Sequence, residues 1–402
     1  MWVRARFDLT WRDLWAGLGY CMGSCRRTLA NAEAVQAWSS SDDCLITLSV
    51  RSAFDLMLRA CAWPAGSEIL LSALTVPHMV EIVRRHRLIP VPVDTDCQGN
   101  LSITALQGAL SVRSRMLVVA QLYGARMPLD AFHEAIRSRR IMLVEDCAQA
   151  FVARGDCGDP HSDAVMHSFG PIKTATALGG AVIRVRSGDL RQRMAAILAE
   201  DPVQPRLAFF RRVCRIALLK LLTGRRVSAG TIMLLGRAGI DVDSRLNALG
   251  RGFAGRDIFP QIRRQPSTPL LKMLSRRWRT YGSDRIERRQ WMGQLLDQAS
   301  GQVHSAQHSY WVYPVFAAEP AELVRRLRAA GYDATCRARM AVVPTVPQGP
   351  APVQAERSWK QVVFLPWYPE IDDEALAKLC DLIAKAGTVA DPTELTSPVV
   401  DG

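Results

Sequence analysis

The sequence predicts an α/β protein with a mostly parallel central sheet and a smaller C-terminal α+β domain. Three observations carry this expectation. Between about residues 53 and 199, apolar runs of strand length alternate with stretches of helical period. Several of those runs are apolar on both faces, the pattern of strands covered by helices on either side. At 402 residues, with 49% hydrophobic and 22% charged content, the chain is long enough to bury two cores.

The elements follow in order. Residues 52–61 have helical spacing, 68–71 form a short buried strand, 77–87 are helical again and 88–94 are extended. The runs 115–120 and 140–145 have strand length, with a helical stretch at 128–138 between them. Residues 180–185 make another strand and 189–199 a helix. From Asp201 the alternation stops. The run RLAFFRRVCRIALLKLL, residues 206–222, projects as a basic amphipathic helix. Its broad apolar face holds Leu207, Phe209, Phe210, Val213, Cys214, Ile216, Ala217 and Leu221, with Arg211, Arg212 and Arg215 opposite. Further on, 276–298 reads as one polar helix, 308–316 as a strand, 320–330 as a helix and 343–352 as a Pro/Val-rich loop. A strand at 362–366 and a helix at 372–386 close the domain. The expected division is a large domain with an N-terminal helical extension over 1–200, a helical insertion over 201–260, a small domain over 261–390 and a tail over 391–402.

The formal charge is +13, and residues 201–290 alone hold 20 basic against 6 acidic residues, so the rest of the chain is close to neutral. The amphipathic segment 206–222 therefore packs on its own protein or a partner subunit, or lies on an anionic membrane surface. Nucleic acid is not expected, because the arginines lack interleaved aromatics and no nucleic-acid motif is present. The ten cysteines stand singly, without a Cys-x-x-Cys pair, which suits buried thiols in a reducing cytoplasm and no metal site. Charges interrupt the N-terminal run, and nowhere is there a membrane-length stretch of about 18 apolar residues, so the expectation is a cytoplasmic protein, with peripheral contact at the inner membrane surface as a variant.

The chemistry concentrates in one region. Val144-Glu145-Asp146-Cys147-Ala148-Gln149 puts a carboxylate at the end of an apolar strand, and Ser168-Phe169-Gly170-Pro171-Ile172-Lys173 puts a lysine just before a Gly-Gly strand start. A pyridoxal phosphate (PLP) enzyme needs this pair: an amine to bond the cofactor aldehyde and a carboxylate to keep the pyridine nitrogen protonated.

Five blocks in register extend the pattern: EILLSALTVPHMVEIVRRHRLIPVPVDTD at 68–96, AQLYG at 120–124, EDCAQ at 145–149, SFGPIK at 168–173 and LPWYPEIDD at 365–373. Together they resemble the DegT/StrS-type sugar aminotransferases, PLP enzymes of fold type I, over about residues 49–386 with gaps. The resemblance implies a homodimer that transfers an amine from glutamate or glutamine to a keto group, on a nucleotide-linked sugar. It makes Lys173 the cofactor-bonding residue and proton carrier, Asp146 the pyridine-nitrogen partner, Gln149 a contact to the ring or its hydroxyl, and Ser168 a donor to the phosphate. Ser52, at the start of a helix, suits an anion or a cap. Where the family has Gly-Thr this chain has Val50-Arg51, so Arg51 is the candidate to supply charge to the phosphate. Val76 stands where an aromatic usually stacks on the ring, with His78 nearby. The segment from Lys173 to Gly179-Gly180 is one residue shorter than usual. The family's Asn-Tyr-Arg-Met-Ser segment corresponds most nearly to Asp243–Asn247. Related dehydratases replace the lysine with histidine, and Lys173 sets this chain apart from them. Two other readings stay open: a PLP enzyme acting on a lipid-linked substrate, and a non-catalytic scaffold that keeps the fold.

Overall fold

The computed structural model describes residues 1–4, 7–41, 43–222, 257–302, 307–336, 340–347 and 349–385. Seven strands form the central sheet: β1 (Cys44–Thr47), β2 (Glu68–Ser72), β4 (Ile89–Val93), β5 (Ser114–Ala120), β6 (Met142–Asp146), β7 (Ala164–Ser168) and β8 (Ala181–Val185). Their order is β1-β8-β7-β6-β5-β2-β4. The strands from β4 to β7 pair in parallel, and β8 runs antiparallel to both β7 and β1. The expected parallel sheet is present, closed at one edge by an antiparallel pair.

Helices cover both faces. On one side α3 (Val50–Cys61), α4 (Pro77–Arg85) and α7 (Gly188–Glu200) bury Phe54, Met57, Ile82 and Met194 against β2, β5 and β8. Ser49 caps α3 by accepting the Ser52 N–H, and Pro77 starts α4 where no N–H is needed. On the other side α5 (Ile103–Ala109) and α6 (Asp130–Arg137) cover β4, β5 and β6. The β1, β7 and β8 end is covered by α1 (Trp11–Met22), α2 (Arg27–Trp38), α8 (Arg206–Leu222) and, after the short α9 (Phe259–Ile262), by α10 (Thr268–Thr280). The smaller unit has a three-stranded antiparallel sheet, with β12 (Val362–Phe364) between β9 (Pro314–Phe316) and β10 (Thr335–Cys336). It packs on α11 (Asp284–Ser300), α12 (Pro320–Ala329) and α14 (Asp373–Lys385). A two-stranded ribbon, β3 (Leu74–Thr75) with β11 (Ala341–Val342), ties it to the central sheet.

Several expectations change. The single polar helix at 276–298 is two, α10 and α11, because Tyr281 leaves helical geometry and sends its hydroxyl to Asp8. The strand at 308–316 shrinks to 314–316, since Tyr310 takes a left-handed φ of 45°. A helix, α13 (Val353–Gln361), follows the Pro/Val-rich loop. The amphipathic helix has its predicted limits, but its face divides in two. Phe209, Val213, Ile216 and Leu219 are buried, while Leu207, Phe210 and Leu221 are exposed. Arg212, expected in the solvent-facing cluster, is half-buried and donates to the Leu178 carbonyl at 2.9 Å.

Three buried carboxylates hold these layers together. Asp55 on α3 accepts both arms of Arg263 at 2.9 Å and lies 2.9 Å from His86. Asp13 takes Arg276 and Arg277, and Asp8 takes Arg285, Arg289 and the Tyr281 hydroxyl. Burial alone would raise each pKa. The partners outweigh it, and all three carboxyls titrate below their ordinary value. A group with a lower pKa folded than unfolded adds stability above its unfolded pKa, about 4 for aspartate, and loses it as pH falls through the folded value. Urea midpoints should therefore drop as pH falls below about 4. Asp55→Asn should cost about 3 kcal/mol at pH 7, with the deficit shrinking in acid. A pH-independent deficit would assign the loss to packing.

Candidate active site

The topology brings the predicted residues to one edge of the sheet. The carboxyl ends of β5, β6 and β7 point the same way. Ser168 pairs with Ala181 at the start of β8, and Ala181 pairs with Thr47 at the end of β1. This edge therefore collects Gln121–Tyr123, Asp146–Gln149, Ser168–Thr174, Gly179–Gly180 and the N-terminus of α3. Ligands bind at such an edge in open α/β sheets. The smaller unit closes the far wall, leaving a cavity of about 440 Å³.

Lys173, Asp146, Gln149, Ser168 and Arg51 all line this cavity. Lys173 sits in a tight turn whose backbone N–H donates to Gly170 at 3.0 Å. Its Nζ lies 3.9 Å from the centre of the Trp311 ring, whose indole N–H donates to the Ile172 carbonyl at 3.1 Å. Asp146 Oδ1 accepts the Ala148 N–H at 3.0 Å. Burial pushes the Asp146 pKa above the ordinary carboxylate value, against the opposing pull of the Ala148 N–H, Lys173 and Arg51. Gln149 Oε1 accepts the Tyr123 N–H at 3.0 Å, which fixes the amide at the strand end.

Ser52 sits elsewhere. It is buried in the first turn of α3, its hydroxyl 3.0 Å from that of Ser49, and it is not on the cavity wall. Ser49, Val50 and Arg51 form that wall instead, because the cap turns Ser52 inward. Val76 lines the cavity and His78 does not. Asp243–Asn247 lie outside the described residues.

Other wall residues carried no role in the sequence reading. The Tyr123 hydroxyl is buried with no hydrogen-bond partner among the described residues, and burial pushes its pKa up. The AQLYG block held that signal. Trp311 reaches Lys173 because Gly124, at φ 112°, lets residues 310–311 press close: a Cβ there would meet the Trp311 nitrogen at 2.7 Å. Arg212 enters from α8, where burial and then Arg215 lower its pKa to about 10. Arg285 and Arg289 arrive from α11 on Asp8.

Residues 22–204 match the DegT/DnrJ/EryC1/StrS aminotransferase family. Over that stretch, a little under half of its length, the chain resembles this family. An L-glutamine:2-deoxy-scyllo-inosose aminotransferase of Micromonospora echinospora is 31% identical over 179 residues, 42% of this chain and 41% of that protein. A GDP-perosamine synthase of Escherichia coli is 24% identical over 139 residues, 34% of this chain and 36% of that protein. The chain thus spans less than half the length of the curated relatives it matches. The aminotransferase TlmJ of Streptoalloteichus hindustanus superimposes with a TM-score of 0.68 at 19% identity, covering 94% of this chain and 97% of that one, which shows the shared fold.

DegT/DnrJ/EryC1/StrS aminotransferases are PLP-dependent, and the cavity of this chain fits that cofactor. A carboxyl raised by burial would gain a counter-charge from a pyridinium N–H. The start of α3, with Arg51, brings the positive end of a helix to the cavity wall, which suits an anion. Lys173 brings an amine to the same wall.

Proposed function

We propose that this chain is a PLP-dependent aminotransferase that converts a keto group on a nucleotide-linked sugar to an amine, with glutamine or glutamate as donor, working as a homodimer. The observation that carries the reading is the placement of Asp146, at the end of β6, on one cavity wall with Ser168 and Lys173, from the end of β7 and the turn after it. When bound, PLP supplies an aldehyde that takes up amines and a ring that withdraws electrons from the adjoining carbon. Asp146 would pair with the ring nitrogen, and Gln149 would hold the ring or its hydroxyl. Ser168, Ser49 and Arg51 would receive the phosphate. Lys173 would bond the cofactor aldehyde, and its Nζ would serve as the general base that takes up and returns a proton there. Arg212, Arg285 and Arg289 add positive charge, which suits a substrate bearing a diphosphate.

The relatives favour this chemistry, since their names give a ring ketone with glutamine as donor and a GDP-linked sugar amine. A second reading, a lipid-linked substrate, is favoured by the exposed apolar side of α8. The scaffold reading is disfavoured by a cavity that keeps both the lysine and the aspartate. The test is to load the protein with PLP and add L-glutamine, L-glutamate or L-alanine separately. Glutamine or glutamate should shift the near-visible absorption band to that of the amine form. No uptake of PLP would retire the cofactor assignment. Uptake without a shift for any donor would retire the transaminase assignment.

A further inference from the structure

We infer that α1 and α8 together form a docking surface for an anionic lipid bilayer. The family match ends at residue 204 and begins at residue 22, so both helices lie outside it except at Met22 itself. They pack side by side. A Cβ on Gly17 of α1 would touch Val213 of α8 at 3.4 Å, and Arg206 Nη1 donates to the Gly23 carbonyl at 2.6 Å. Lys220 ties the other end to the Leu9 carbonyl at 2.8 Å. Both helices rest on α10 from the same side, through Leu14, Phe209 and Val213 against Leu270 and Leu274.

That inner packing satisfies one face of each helix. The outer faces remain apolar. On α1, Trp11, Trp15 and Met22 recur at helical spacing and are 41%, 69% and 81% exposed. On α8, Leu207, Phe210, Leu218 and Leu221 are 53%, 39%, 56% and 58% exposed, with Cys214 completing the stripe. Bulky side chains exposed in two adjacent rows mark an interaction surface. Tryptophan beside leucine suits the boundary between headgroups and acyl chains.

Charge selects the occupant. The exposed ionic groups of these helices and their junction are arginines, including Arg12, Arg26, Arg211 and Arg215. No acidic residue lies in α8, and the single one in α1, Asp13, is buried against Arg276 and Arg277. A second copy docked through the same face about a two-fold axis would set arginines on arginines. The intervening sequence at 223–256 carries six arginines against two aspartates, so it too has the wrong sign to neutralise this face. An anionic headgroup layer has the right sign, and it offers the apolar phase the stripes need. The inner side of α8 carries Arg212 to the cavity wall, so one helix joins the docking face to the site.

The surface stands apart from the cofactor chemistry, and flotation of the full chain tests it without turnover. The protein should float with phosphatidylcholine vesicles that contain phosphatidylglycerol, stay behind with phosphatidylcholine alone, and be released by salt. Each arginine near an anionic surface is worth about 1 kcal/mol, or about fivefold, so Arg211→Gln with Arg215→Gln should weaken binding about 25-fold. Leu218→Ser with Leu221→Ser should also weaken it, and both variants should keep the wild-type circular dichroism. No flotation with anionic vesicles, or flotation unchanged in both variants, overturns the inference. So does a loss of dimer in the leucine variant without any vesicle binding, which would assign the face to a second copy.

Discussion

Replacing Lys173 with alanine is expected to lower amine transfer by at least about 10³-fold and to remove covalent attachment of PLP, with little change in stability. Lys173 is the one lysine on the described cavity wall, so no neighbouring amine can take its place. The surroundings hold it by geometry: the turn from Gly170 fixes the backbone, and the Trp311 face meets the ammonium at 3.9 Å. A half-exposed cation over a ring contributes about 1 kcal/mol, so alanine should leave the unfolding midpoint nearly unchanged. The result to look for is a folded, near-colourless protein to which reduction with borohydride attaches no cofactor. Retained attachment at another lysine, or turnover within about tenfold of wild type, would remove Lys173 from the role.

Much of this site was legible in the sequence because strand ends are legible. Asp146 and Ser168 each terminate a buried strand, and a parallel sheet puts such ends on one edge whatever the loops do. Gln149 and Lys173 follow at short fixed offsets. The strands β1 and β7 were not read as strands in the sequence, although β7 delivers Ser168. Ser52 was misplaced by one turn of logic: a serine near a helix start can cap or bind, and Ser49 had already taken the capping position that turns Ser52 inward. Trp311 and Arg212 were not legible at all. Trp311 depends on a left-handed Tyr310 and on Gly124, more than 180 residues away in sequence. Arg212 points inward because its helix has two apolar faces, and an amphipathic projection assigns only one.

Asp146→Asn separates a catalytic carboxylate from a structural one, because the two roles predict opposite changes in stability. Asparagine keeps the shape and the acceptor for the Ala148 N–H at 3.0 Å, and removes only the charge. Burial raises the Asp146 pKa despite the Ala148 N–H, Lys173 and Arg51, so ionisation is unfavourable in the folded protein. A raised carboxyl binds its proton more tightly folded than unfolded. Its charge therefore costs stability above the folded pKa, and the cost disappears below the unfolded one. The asparagine variant, measured without PLP at neutral pH, should unfold at the same temperature as wild type or higher. Structural carboxylates such as Asp55, held low by arginine, should behave the other way. Activity should move against stability: without a negative charge to hold the ring nitrogen protonated, amine transfer should fall by about 10²–10³-fold while PLP still attaches at Lys173. A variant that is less stable and equally active would place Asp146 with the structural aspartates, and a chain folded around that carboxylate would then owe its charge to packing rather than to the cofactor.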